Sequence, residues 1–219
     1  MKHSLKEIKR SMFGGANSYY ITADNNYFIK VCKGKEEWIK KEFNNLKNYW
    51  NKLGVENFRL IEPIYCSQKK QFIVSRYIDG TKLVDILNPK IYYEFGKKLK
   101  KFHEKGFSHS HLEVHDVIYK NGTFYFADVP FFNERDQIHD LVSMKLTLNL
   151  YKLKRPWYSY LYKICSKEFF RGYNSFNKEN LEKEYVISIK KRIRLYKRQG
   201  ILYKARANLF KLIYKIGLL

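Results

Sequence analysis

Two aspartates, Asp116 and Asp128, stand at the ends of a predicted β-hairpin and are the side chains best placed to bind a cation. Val117–Tyr119 and Thr123–Ala127 are apolar runs with strand propensity, and the Asn-Gly pair between them is a strong signal for a tight turn. The hairpin would bring both carboxylates to the same end of its strands. Because carboxylate oxygens suit hard cations, we predict that Asp116 and Asp128 bind Mg²⁺. A surface hairpin with two solvated aspartates is the alternative.

A cluster of histidines lies just before the hairpin. His109, His111 and His115 alternate with Glu113, so an extended strand would place all four side chains on one face. Together with Asp116 they offer the histidine and carboxylate ligands that bind Zn²⁺. A zinc site is therefore a second interpretation, although no other part of the sequence supports a metallohydrolase.

The amino-terminal part of the chain predicts a pair of strands with a lysine inside the second. The strands are Ser18–Ile21 and Tyr27–Val31. Gly14 and Gly15 precede them and would let backbone N–H groups approach a phosphate, although an ordinary turn is the simpler explanation. Lys30 interrupts an otherwise apolar strand, and a half-buried lysine requires a partner.

The candidate partner of Lys30 lies on a predicted helix. Apolar residues recur at helical spacing from Lys35 to Leu53, and Gly54 ends the pattern. Glu42 borders this apolar face, so we predict that it pairs with Lys30. The alternative is that Glu42 pairs with lysines along its own helix, which is a common solvated arrangement.

Further strands and a change to helices follow. Arg59–Cys66 and Gln71–Tyr77 are predicted strands. An Asp79-Gly80 turn leads into the start of a helix, and Tyr92–Lys105 has the apolar spacing of another helix. We expect a strand-rich region to give way to a helical region here.

The composition of the 219-residue chain indicates a folded and strongly basic protein. Hydrophobic residues make up 45% and aromatic residues 17% of the sequence, more than a disordered chain contains. With 43 Lys+Arg against 21 Asp+Glu, the net charge of +22 implies a polyanionic partner such as nucleic acid, an anionic membrane surface or a phosphorylated glycolipid. Three well-separated cysteines predict reduced thiols in a cytosolic compartment. The sequence shows neither a signal-peptide core nor a membrane-length apolar run.

The last third of the chain is helical and basic. Val142–Leu153 and Tyr158–Phe170 are predicted helices separated by Pro156. Beyond Leu181 the sequence is strongly basic, and residues 202–216 combine helical apolar spacing with lysine and arginine. Such a helix either lies on an anionic membrane or packs onto the fold by its apolar face. Nucleic acid stays open on charge alone, but no nucleic-acid-binding module is recognisable.

The motifs follow one another in a characteristic order. In chain order they are Gly14-Gly15, Lys30, Glu42, Tyr77-Ile78-Asp79-Gly80, Phe102-His103 with Gly106, the loop His109–Asp116, Asp128 and Asp140-Leu141. Over about residues 12–150 the chain resembles the protein-kinase-like superfamily and, within it, the small lipopolysaccharide core heptose and Kdo kinases. The short length and the long basic carboxyl-terminal region also resemble the heptose kinases.

The resemblance implies a phosphoryl-transfer site that uses ATP and Mg²⁺. Lys30 would bind the α- and β-phosphates, and Glu42 would hold Lys30. Asp128 would ligate Mg²⁺, and Asp116 would supply a second oxygen ligand where the family has asparagine. Asp140 would brace the catalytic loop, and the glycine pair would contribute to cofactor binding.

His111 departs from the family pattern, because it stands where the catalytic base aspartate belongs. Phosphoryl transfer depends mainly on positioning and charge stabilisation, and histidine can accept a proton near neutral pH. We therefore place His111 with Asp116 and Asp128 in the catalytic set, with Glu113 as a substitute base. A pseudokinase that binds nucleotide and regulates a partner without turnover is the alternative.

We expect an α+β, two-lobed protein-kinase-like fold. Residues 1–79 would form a β-rich nucleotide-binding lobe, residues 80–180 a helical lobe and residues 181–219 a basic helical region. The expected function is ATP-dependent phosphorylation of a heptose or Kdo sugar of the lipopolysaccharide core or a related glycolipid. The protein would act as a monomer, in the cytoplasm, bound peripherally to the inner face of the membrane.

Overall fold

The structure is a computed structural model that describes residues 5–10, 17–32, 36–126, 128–129, 132–133, 136–198, 208 and 210–212. The chain divides into two compact units. The first comprises Met1–Leu83 and His115–Glu134, and the second comprises Val84–Val114 and Arg135–Leu219. The three continuous domains predicted from the sequence remain a prediction.

The first unit contains a five-stranded antiparallel sheet with the strand order β1-β2-β3-β6-β5. Its strands are β1 (Leu5–Arg10), β2 (Asn17–Thr22), β3 (Tyr27–Cys32), β5 (Pro63–Ser67) and β6 (Phe72–Arg76). Helix α1 (Glu36–Tyr49) follows β3, and its buried Ile39 packs in one cluster with Cys32 and Ile73. The two predicted amino-terminal strands and the helix after them are confirmed.

The same unit contains a second sheet with the order β4-β9-β8-β7. Its strands are β4 (Phe58–Leu60), β7 (Thr81–Lys82), β8 (Val117–Lys120) and β9 (Thr123–Phe126). The β8–β9 hairpin is the one predicted, and Asn121 (φ 48°) and Gly122 (φ 80°) both adopt the left-handed conformation that a two-residue hairpin turn requires.

One strand prediction and one helix prediction need correction. The single strand expected at Arg59–Cys66 is two strands, because β4 pairs with β9 in one sheet and β5 pairs with β6 in the other. The helix expected after Asp79-Gly80 does not begin there, because Thr81 and Lys82 pair with β8. An added Cβ on Gly80 would lie 2.7 Å from Ile118 Cγ2, so glycine allows this close pairing.

The second unit is helical. Its helices are α2 (Pro89–Glu104), α3 (Ile138–Lys154), α4 (Ser159–Tyr173) and α5 (Lys178–Arg198). Helix α2 begins three residues before the predicted start, because Asn88 caps it by accepting the N–H of Lys90 and Pro89 occupies its first position. Pro156 separates α3 from α4 as predicted, with a short 3₁₀ turn at Pro156–Tyr158.

Helices α2 and α4 pack at backbone contact. A Cβ added to Gly96 would lie 2.2 Å from the carbonyl oxygen of Phe169, and one added to Gly172 would lie 2.1 Å from that of Tyr93. Glycine at both positions therefore sets the distance between the two helices. The buried residues around this contact form the core of the unit and include Tyr92, Phe95, Leu99, Phe102, Tyr162 and Phe169.

In the described part of the chain, no helix combines the length and the apolar character needed to cross a bilayer. Of the basic helix predicted at residues 202–216, only residues 208 and 210–212 are described. Phe210 is buried, and the guanidinium of Arg192 on α5 lies 5.7 Å from its ring centroid. The other residues of that prediction lie outside the described residues.

Candidate active site

Lys30 lies on β3, and its side chain is buried within the first unit. Lys30 and Cys32 are the buried residues of this strand, as the alternation of side chains along a strand dictates. Nζ of Lys30 donates a 2.7 Å hydrogen bond to Oε2 of Glu42 on α1 and lies 3.1 Å from Oδ1 of Asp128. The predicted pair of Lys30 with Glu42 is therefore formed, and Asp128 joins it.

Burial and charge act in opposite directions on these side chains. Burial lowers the pKa of Lys30, but the carboxylates of Asp128 and Glu42 outweigh it and raise that pKa well above its ordinary value. Burial raises the pKa of Glu42 to about 7, against the attraction of Lys30. Lys30 is therefore a fixed cation at neutral pH, whereas Glu42 titrates near neutrality.

Asp128 follows β9 and is the accessible member of the group. Its side chain is 39% exposed, against 8% for Lys30 and 5% for Glu42. The backbone after it is anchored, because Val129 is buried and its carbonyl accepts a 2.9 Å hydrogen bond from Nδ2 of Asn45. Sequence reasoning missed Asn45. Its one signal is the three-residue spacing from Glu42, which places both side chains on one face of α1.

Asp116 immediately precedes β8. Val117 pairs with Phe126 at this end of the hairpin, so Asp116 and Asp128 adjoin the same end of its strands, as predicted. The side chain of Asp116 is 17% exposed, and its Oδ1 lies 3.6 Å from Nε2 of His115. Carboxylate oxygens are donors that Mg²⁺ prefers, so the two aspartates fit the ion that the resemblance implies. The metal-binding role of both aspartates stays a prediction.

In the second unit, Asp140 of α3 holds the loop that begins at His109. Its fully buried carboxylate accepts the backbone N–H groups of His109 at 2.7 Å and Leu112 at 3.3 Å. The loop is fixed again at Val114, whose N–H donates to Oγ1 of Thr147, also on α3, at 3.3 Å. The contact expected of Asp140 from the resemblance is therefore formed.

A buried chain of hydrogen bonds continues from Asp140. Nε2 of His103 lies 3.0 Å from Oδ2 of Asp140, and Nδ1 of His103 lies 2.7 Å from the hydroxyl of Tyr173. A carboxylate only accepts, so we assign the proton of His103 to Nε2 and let Tyr173 donate to Nδ1. Burial, assisted by the charge of Asp140, raises the pKa of Tyr173 to about 12, which keeps this donor protonated. Tyr173 was not identified from the sequence.

The histidine-rich segment is not a strand, so the condition under which its four alternating side chains would share one face is not met. Ser110 has a left-handed backbone (φ 67°), and its hydroxyl lies 3.0 Å from that of Ser108. His109 is buried, whereas the side chain of His111 is 43% exposed. The ligand atoms of Glu113, His115 and Asp116 nevertheless lie within 4.8 Å of one another, and the zinc interpretation stays a prediction.

His111 belongs to a charged cluster in the second unit. Its Nε2 lies 3.3 Å from Oε1 of Glu113, and the guanidinium of Arg192 donates to the same carboxylate oxygen at 3.3 Å. The side chains of Glu113 and Arg192 are only 15% and 19% exposed. Arg192 of helix α5 thereby binds a carboxylate of the loop that begins at His109, 79 residues away in the sequence. No local pattern identifies Arg192, because α5 is basic along much of its length.

The predicted cofactor-binding residues are distributed unevenly in the structure. Lys30 and Glu42 lie in the described first unit, in contact with each other. Gly14 and Gly15 lie outside the described residues. Their predicted contribution to phosphate binding stays a prediction.

No family model and no curated protein matches the chain. Solved structures do match along nearly its whole length. The ADP-bound aminoglycoside phosphotransferase APH(2'')-Ib aligns with a TM-score of 0.65 at 14% identity, over 96% of this chain and 95% of that one. Spectinomycin phosphotransferase APH(9)-Ia, in complex with ADP and spectinomycin, gives 0.61 at 14% identity over 97% and 89%. Amicoumacin kinase hAmiN, in complex with AMP-PNP, Ca²⁺ and its ligand, gives 0.65 at 12% identity over 95% and 87%.

These similarities define the class of fold. The chain has the α+β protein-kinase-like fold, with a β-rich unit and a helical unit, and the prediction of that fold is confirmed. Identities of 12–14% establish the fold alone.

Proposed function

We propose that the protein is an ATP-dependent phosphotransferase that phosphorylates a hydroxyl group. The observation that carries this proposal is the buried Lys30, held by Glu42 at 2.7 Å and by the accessible Asp128 at 3.1 Å. A lysine fixed in its charged form can bind phosphate oxygens, and an accessible carboxylate beside it can coordinate a metal ion. The matched solved structures that contain ADP or AMP-PNP agree with this use of the fold.

The residues take the following roles in the proposal. Lys30 binds phosphate oxygens of ATP, and Glu42 fixes the direction of its side chain. Asp128 and Asp116 would hold Mg²⁺, which when bound would neutralise charge on the phosphates. His111, whose side chain is 43% exposed, accepts the proton of the acceptor hydroxyl.

The acceptor we propose is an anionic glycolipid, namely a heptose or Kdo sugar of a lipopolysaccharide core precursor at the inner face of the membrane. The net charge of +22 supports an anionic acceptor, because a strongly positive protein attracts polyanions over a distance that the ionic strength sets. Two of the matched proteins are phosphotransferases for aminoglycosides or spectinomycin, which carry amines and are cationic. The charge of this chain disfavours acceptors of that kind.

The histidine at position 111, where the kinase pattern has aspartate, favours a second candidate function. This candidate is a pseudokinase that binds nucleotide without turnover. Protein-kinase-like enzymes use an aspartate at this position as the base. Here the side chain is histidine, and it lies 3.3 Å from Glu113. Binding of Mg²⁺-ATP without transfer to any acceptor would support this candidate.

The decisive experiment is transfer of labelled γ-phosphate from Mg²⁺-ATP to purified core glycolipid. Wild type is compared with Asp128→Asn, Lys30→Met and His111→Ala, and Asp136→Asn serves as a control that removes an exposed carboxylate. We expect transfer by wild type and the control, and a loss of about a hundredfold or more in the first two variants. An intact nucleotide affinity with no transfer to glycolipids, free sugars or aminoglycosides would refute the enzyme and leave the pseudokinase.

A further inference from the structure

The outward face of α4 presents exposed aromatic rings followed by a row of cations. Trp157, in the 3₁₀ turn immediately before α4, is 90% exposed, and Tyr160 in the first turn of α4 is 73% exposed. Lys163, Lys167 and Arg171 follow, all of them exposed. Spacings of three or four residues place Tyr160, Lys163, Lys167 and Arg171 on one side of the helix, and Trp157 lies in the turn directly before it. We call this set the α4 face.

The opposite side of α4 is fixed in the core of the second unit. Cys165 and Phe169 are fully buried there, and Gly172 contacts the backbone of α2. The hydroxyl of Tyr162 donates to the carbonyl of Val84 at 2.9 Å, which secures the amino-terminal turn of the helix. The α4 face is therefore displayed rigidly, with no ordering cost for the helix when something binds to it.

The turn that carries Trp157 is also held in place. Arg155, directly before it, donates to Oδ1 of Asp85 at 2.8 Å and to the hydroxyl of Tyr162 at 3.2 Å. Tyr158, in the same turn, is 48% exposed. Isolated exposed aromatic side chains are normal on protein surfaces, but a contiguous group of them marks an interaction site.

The α4 face and its surroundings are strongly positive. Between residues 149 and 178 the sequence has seven lysines and arginines, and its one acidic residue is Glu168. Arg171 pairs with Glu168 at 2.5 Å. Burial lowers the pKa of Lys152, and the neighbouring charges of Lys163 and Lys145 lower it further, which reflects the density of cations here.

We propose that the α4 face is a docking surface for an anionic lipid bilayer. Tryptophan and tyrosine are the side chains that settle at the headgroup level of a membrane, and lysine and arginine next to them attract anionic headgroups. Trp157, Tyr158 and Tyr160 enter the interface at the amino-terminal end of α4. Lys163 and Lys167 lie one and two turns further along and contact the headgroups.

The arrangement of rings and cations favours a bilayer over a nucleic acid. Single-stranded nucleic acids bind where stacking platforms recur along a basic groove, at intervals that match successive bases. On the α4 face the rings are gathered at one end, and the cations continue along the outside of a single helix. This arrangement matches a flat, charged surface with an apolar interior. The proposed docking to a bilayer does not depend on phosphoryl transfer.

The test is co-sedimentation of the full chain with phosphatidylcholine vesicles with and without phosphatidylglycerol, in the absence of nucleotide and acceptor. Two double variants are compared with wild type. One combines Trp157→Ser with Tyr160→Ser, and the other combines Lys163→Gln with Lys167→Gln. Matched controls are Tyr65→Ser, which removes a ring that is 56% exposed, and Lys40→Gln with Lys47→Gln, which removes two exposed lysines from α1.

We expect binding that requires phosphatidylglycerol, a loss of about tenfold in each α4 variant and changes below about twofold in the controls. Quenching of tryptophan fluorescence by brominated lipid should disappear in Trp157→Phe, although Trp38 and Trp50 remain. Equal losses in the variants and the controls would refute the docking surface. Tighter binding of single-stranded RNA or DNA than of vesicles, lost in the same α4 variants, would also refute it and assign the face to nucleic acid.

Discussion

The ammonium of Lys30 and the carboxylate of Glu42 form a buried ion pair 2.7 Å long between β3 and α1. Removing both charges from water is costly, so such a pair contributes little net stability while it is intact. Breaking it leaves one buried charge without compensation, which costs several kcal/mol. The pair therefore fixes the position of the lysine more than it stabilises the fold.

The first prediction concerns the pH dependence of stability. The pKa of Glu42 is raised from 4.5 to about 7 in the folded state, so its protonated form favours folding. This contribution is complete below pH 4.5 and is lost as the pH rises through about 7. Glu42→Gln cannot ionise. In urea unfolding, the stability of wild type relative to Glu42→Gln should fall between pH 4.5 and pH 8.

The control for that measurement is Glu37→Gln, which removes an exposed carboxylate from the same helix. It accounts for the loss of one negative charge from a basic protein. Parallel stability profiles for wild type and Glu42→Gln across the whole pH range would contradict the assignment.

The parts of the site that could be predicted are those with local signals. The β8–β9 hairpin follows from an Asn-Gly turn between strand-prone runs. The partner of Lys30 follows from a lysine inside an apolar strand and from Glu42 at the border of a helical stripe. The family pattern then supplied Asp140, whose contacts with His109 lie within one unit.

The parts that could not be predicted depend on contacts between residues far apart in the chain. Asn45 meets the carbonyl of Val129, 84 residues away, and Arg192 meets Glu113, 79 residues away. Periodicity shows which face of a helix is apolar, but it does not show which element that face meets. The histidine alternation misled for a related reason, because Ser110 takes a left-handed backbone that interrupts any strand.

The second prediction concerns the contact of α2 with α4. Gly96→Ala and Gly172→Ala each place a methyl group about 2 Å from a backbone carbonyl of the other helix. This clash can be relieved only if one of the helices moves. We expect each to lower the free energy of unfolding by about 3 kcal/mol. Gly122→Ala is the control, because only its positive φ opposes the methyl group, at a cost of about 1 kcal/mol. Denaturant melts of the three variants test this ranking. A cost for Gly96→Ala no larger than that for Gly122→Ala would contradict the close packing.

The third prediction concerns the reactivity of the cysteines. Burial raises the pKa of Cys165 to about 11, and this side chain is fully buried. Cys32 is also buried, whereas Cys66 is partly exposed even though burial and Glu42 raise its pKa. A thiol-specific chromogenic reagent should therefore modify one thiol in the native protein and all three in denaturant. Cys66→Ser should remove the native-state reaction. Its persistence in that variant would show that Cys32 or Cys165 is accessible.

The last prediction concerns Arg192 and Glu113, and it rests on the proposed phosphotransferase activity. The guanidinium of Arg192 holds the carboxylate that faces His111, so it acts as a positioning residue for the proposed base. Arg192→Met should lower kcat about tenfold and leave the KM for ATP unchanged, because the nucleotide contacts lie elsewhere in the proposal. Arg192→Lys should restore part of the activity. Arg194→Met removes an exposed arginine two residues away on α5 and should have no effect.

A double-mutant cycle separates this positioning role from a structural one. If Arg192 acts through His111, then Arg192→Met should have little further effect on kcat in the His111→Ala background, because the group that it positions is gone. A purely structural role would instead lower kcat by the same factor in both backgrounds and would lower the melting temperature in parallel. Additive effects in the cycle would therefore remove Arg192 from the mechanism and leave it as a link between α5 and the loop.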